Sequence, residues 1–78
     1  MSFELTRTLL DGIRSDVAEG RDSAVQEVLN ELHPADIAQV IDRLDHEDAV
    51  YVFRLLDSEE SAEVLLNLDE DRREDLLA

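Results

Sequence analysis

Seventy-eight residues hold at most one small domain, and with Phe3, Tyr51 and Phe53 the only aromatic residues its core must be aliphatic. Seven arginines, no lysine and twenty-one acids give a net charge of −14, a surface that repels nucleic acid and anionic lipid and attracts divalent cations or a basic protein surface. The same charge also suits plain solubility or adaptation to high salt. The absence of cysteine excludes a disulfide framework and a thiolate metal site, and fits a reducing compartment. The longest apolar run, Ala49 to Phe53, is far short of the roughly 18 residues that a membrane span needs. Met1 to Glu4 lacks the basic start and apolar centre of a secretion signal, so the chain reads as soluble.

The first predicted element is a helix from Ser2 to Glu19. Ser2 is its cap candidate, Leu9, Leu10, Ile13 and Val17 form a one-sided apolar stripe, and Gly20 ends it in the left-handed conformation. Asp22 is the next cap candidate, and Val25, Val28, Leu29 and Leu32 repeat the helical i, i+3, i+4, i+7 spacing. The template then recurs as Ile37, Val40, Ile41 and Leu44, and as Ala49, Val52, Phe53 and Leu56. In the following unit Ser61 takes the first apolar place, before Val64, Leu65 and Leu68. A final unit opens with Asp69, Glu70 and Asp71, carries Arg72 and Arg73 where earlier units have an acid and a small or aliphatic residue, and closes on Leu76 and Leu77.

These units share a period. Leu32, Leu44, Leu56 and Leu68 stand twelve apart, and Asp45, Asp57 and Asp69 follow the last three. A fixed period marks a repeat array. Proline at position 34 suits the first turn of a helix, where its missing N–H costs nothing. Asp57 to Glu60 has the form of a capping box, and Asp45 to Asp48 a weaker one. Each unit is then a helix of roughly 9 or 10 residues, about 14 Å long, leaving two or three residues per turn. Such helices are marginal alone in water and must bury their stripes on one another. The expected fold is an all-α solenoid of about six short helices. Its last repeat is incomplete, which fits a longer stack continuing beyond Ala78.

The run Leu32-His33-Pro34-Ala35-Asp36, followed at the repeat spacing by Ala62-Glu63-Val64-Leu65, resembles the cytosolic N-terminal domain of the MgtE family of magnesium transporters. The resemblance covers residues 22–78, and the helix before them is compatible with it. It implies a right-handed, armadillo-like superhelix that precedes paired CBS domains and a membrane-embedded pore. It implies a homodimer in the full-length protein, at the cytoplasmic face of the cell membrane. It also implies magnesium ions held between acids of this domain and the CBS domains, which keep the pore closed until internal magnesium falls. Glu63 occupies the Ala-Glu-Val position whose acid faces that interface, and is the metal ligand the resemblance implies.

Other chemistry is thinner. Asp69-Glu70-Asp71 is the densest acidic triplet and a weak cation-site candidate, although first-turn acids also complement a helix dipole. Asp45, Asp57 and Asp69 read first as helix caps. His33 and His46 lie thirteen apart at helix starts, unlike a zinc pair. No EF-hand loop, glycine-rich phosphate loop or G-x-S-x-G elbow is present in the sequence, and no enzyme is expected. Two functions remain in view: a magnesium-sensing regulatory domain of a transporter, and a stand-alone acidic repeat module for protein binding, related in its stacking to flagellar motor switch domains.

Overall fold

A computed structural model describes residues 7–77 as six helices, α1 (Arg7–Ala18), α2 (Asp22–Asn30), α3 (Pro34–Arg43), α4 (His46–Arg54), α5 (Ser58–Asn67) and α6 (Glu70–Leu77). Helices α2 to α6 start at residues 22, 34, 46, 58 and 70, so the twelve-residue period of the sequence is the period of the helices themselves. Each unit spends eight to ten residues on helix and the remainder on its turn. The chain is all-α throughout the described residues.

The ends of these helices follow from local chemistry. Gly20, at φ 70°, takes the left-handed position after α1. There the Arg21 N–H donates to Asp16 O at 2.9 Å and the Gly20 N–H to Val17 O at 3.1 Å, a Schellman closure that satisfies two orphan carbonyls. Helix α3 begins at Pro34, with the His33 N–H donating back to Asp36 Oδ2 at 3.3 Å. Asp57 caps α5, its Oδ1 accepting from the Glu60 N–H at 2.7 Å.

The other expected caps differ. Asp22 is the first residue of α2, with Arg21 at the cap position and no side-chain cap bond. Asp45 sits at the cap of α4 but its carboxylate accepts no cap bond. Ser2 and the start of the first predicted helix lie outside the described residues, and the described helix ends at Ala18 rather than Glu19 because the Schellman turn takes Glu19 and Gly20.

Stacking buries the apolar stripe unevenly. Val40, Val52 and Val64, one repeat apart, are each 0% exposed, whereas Val28 and Leu76, one repeat to either side, are only half-buried. Ile37, Ala38, Val40 and Ile41 make α3 the most deeply buried helix. Each buried Val or Ile side chain contributes about 1.5–3 kcal/mol by leaving water. The most extensive helix contact is α3 on α5; α4 packs on α6, and α1 on both α2 and α4. Second-neighbour packing therefore joins the repeats, and helices too short to persist alone are held by the shared seam.

A second device repeats with the same period. Arg14 Nη2 donates to Arg43 O at 2.9 Å, closing the last turn of α3 from α1. Twelve residues on, Gln26 Nε2 donates to Leu55 O at 3.4 Å, closing the end of α4 from α2. Long polar side chains thus reach two helices ahead and satisfy carbonyls that a helix end leaves open.

Candidate functional site

The twelve-residue register places Glu63 on α5 directly before the fully buried Val64. Its side chain is therefore exposed, on a face shared with Glu59, Ala62, Leu66 and Asn67, all exposed. Leu66 is 79% exposed, the most solvent-accessible large apolar side chain among the described residues. Asn67 Nδ2 donates to Glu63 O at 2.9 Å and tightens the last turn of this helix. An exposed carboxylate on a packed helix is a hard oxygen donor available to a second surface.

Asp69, Glu70 and Asp71 lie elsewhere. They stand at the α5–α6 turn and the first turn of α6, and with Asp42 of α3, Arg72 and Asp75 they line an open cleft. Arg72 is the cation in that lining, and its Nη2 donates to Leu44 O at 2.8 Å, at the C-terminal end of α3. Partial burial and then the Asp69 carboxylate push the Asp42 pKa up, while the Arg72 and Arg43 guanidiniums pull it back. Arg73 turns the other way, donating to Leu68 O at 3.4 Å.

The structure thus brings the acidic triplet together with two carboxylates that sequence reasoning did not single out, Asp42 and Asp75, and keeps Glu63 apart from all of them. Asp75 was accessible in principle, one helical turn after Asp71. Asp42 was not, because nothing in its neighbourhood announces that the end of α3 meets the start of α6. The one sequence signal at this place is Arg72, which breaks the acidic column Asp36, Asp48, Glu60.

Among the described residues no group of three or more His, Cys, Asp or Glu side chains is placed to hold a metal ion. The donor set fits magnesium in one way only: exposed carboxylates can each supply an oxygen to an ion whose remaining positions are filled by water and by another surface. Likewise no helix among the described residues is long and apolar enough to cross a membrane.

A stack of short helices on a twelve-residue repeat, acidic over its exterior, defines an acidic helical-repeat domain. The family model described as the MgtE intracellular N domain matches residues 32–78, more than half of the chain, and the chain belongs to that family. Membership makes it a cytosolic domain of the magnesium-transporter kind, a regulatory rather than an enzyme family. No curated protein and no solved structure matches the chain.

Proposed function

We propose that this domain senses intracellular magnesium for a transporter and gates its pore, by presenting the Glu63 face of α5 to an acidic CBS-domain surface of the same protein. The observation that carries the reading is the position of Glu63: a carboxylate exposed beside a wholly buried valine, on a helix fixed by the core and capped by Asp57. Two acidic surfaces repel when brought together, and a dication between them reverses the sign of the interaction. Glu63 supplies an oxygen to such an ion; Asp69, Glu70 and Asp71, gathered at a separate cleft, are the weaker candidates for the same role. Loss of magnesium would free the domain to swing away, and the pore would open.

The test is association of this chain with the CBS pair of a transporter from the same organism. Binding in millimolar magnesium, lost on chelation and weakened about tenfold by Glu63→Gln, is the expected result. Binding indifferent to magnesium would instead favour a stand-alone repeat module that recognises its partner by shape and charge.

A further inference from the structure

We propose that α6 is an electrostatically tuned element of the stack, whose docking strengthens when carboxylate repulsion between Asp42 of α3 and the Asp69–Asp75 segment is screened. The inference does not rest on magnesium at Glu63, which lies outside this cleft. Helix α6 contributes no buried residue, and Leu76 is its one partly buried apolar side chain against the core. Apolar burial therefore holds it weakly, and polar contacts decide its position. Its cross-helix polar anchor is the Arg72 hydrogen bond to Leu44 O.

Around that anchor the charges are unbalanced. Asp42, Asp69, Glu70, Asp71 and Asp75 line the cleft with Arg72. Arg43 also acts on Asp42 from α3. Helix α4, which packs on α6, places none of its charged side chains (His46, Glu47, Asp48, Arg54) in the lining. Five carboxylates thus share this lining with one guanidinium, and negative charge gathers where the end of α3 meets the start of α6. Among the cleft acids Asp42 alone belongs to α3, so its charge tests the junction between helices rather than repulsion within α6.

The experiment is residue-resolved amide exchange on the full 78-residue chain at constant neutral pH. Raising salt from about 10 mM to about 150 mM shortens the Debye length from roughly 30 Å to 8 Å. Protection of α6 should rise about threefold, with a smaller change in α1 and α3. At low salt Asp42→Asn should raise α6 protection about twofold and blunt its salt response. Arg72→Gln should lower α6 protection about fivefold. Glu27→Gln, which removes an exposed acid of α2 outside the cleft, should leave α6 unchanged. A salt effect spread evenly over all helices would overturn the proposal by assigning the effect to net charge. So would an Asp42→Asn chain with unchanged or reduced α6 protection, or an Arg72→Gln chain that keeps it.

Discussion

The α3–α5 centre and the α6 end are built on one twelve-residue unit, yet different forces hold them. At the centre the repeat column Val40, Val52, Val64 is wholly buried, as are Val25, Ile37 and Ala49 beside it, and apolar packing dominates. Further along the column of Val25, Ile37 and Ala49 come Ser61 and then Arg73, and burial gives way to hydrogen bonds and Coulomb terms. A repeat thus fixes where a helix goes without fixing what keeps it there. The candidate partner-facing acid, Glu63, stands on the rigid side of this divide, which suits a group that must present one oxygen at a defined place.

Mutation can break that contrast from its strong side first. Ile41→Ala, deep in α3, should cost about 3 kcal/mol and unfold much of a domain this small, whereas Leu76→Ala, at a half-buried place in α6, should cost under about 1 kcal/mol; chemical denaturation of the two variants separates them. Equal losses would mean that the two regions share one apolar core.

The helix-end devices come next in size. Arg14→Ala removes the donor to Arg43 O and should cost about 0.5–1 kcal/mol. Asp57→Ala should cost about 1 kcal/mol, while Asp45→Ala, at an equivalent position without a cap bond, should be close to neutral. Thermal melts of the two aspartate variants compare positions that one repeat makes identical in sequence.

The smallest effect is the pH dependence of the cleft. A carboxyl whose folded pKa lies above its unfolded value binds its proton more tightly when folded. The stability linked to protonation of Asp42 is therefore complete below the ordinary aspartate pKa and is lost as pH rises through the raised folded value. Denaturation midpoints followed across that window should fall more steeply with rising pH in the native chain than in Asp42→Asn.

Much of the fold was legible because it is local and periodic. Pro34, Gly20 and Asp57 each act within a few residues of themselves, and the Leu32–Leu68 spacing transmits those local signals to every unit. The aspartates that read as a set of caps show the limit of that reasoning: Asp57 accepts a cap bond, Asp45 accepts none, and Asp69 lines the acidic cleft. Side-chain reach decides among them, and reach depends on neighbours two helices away. The pairing of Arg14 with Arg43 O, and of Gln26 with Leu55 O, was illegible for the same reason, although its twelve-residue recurrence is plain once seen. For the site, the exposure of Glu63 followed from its register beside Val64. The meeting of Asp42 with Asp69 required knowledge of how α3 and α6 come together, which no spacing along the chain supplies.

On the function proposed above, the domain offers part of a magnesium site and needs a second surface to complete it. Thermal unfolding of the chain with magnesium chloride, against sodium chloride at matched ionic strength, tests this directly. The melting curves should agree within about 1 °C, as expected when magnesium does not bind the folded chain alone tightly enough to shift its equilibrium by mass action. A saturable stabilisation specific to magnesium, abolished by chelation, would contradict it and place a complete site within this chain.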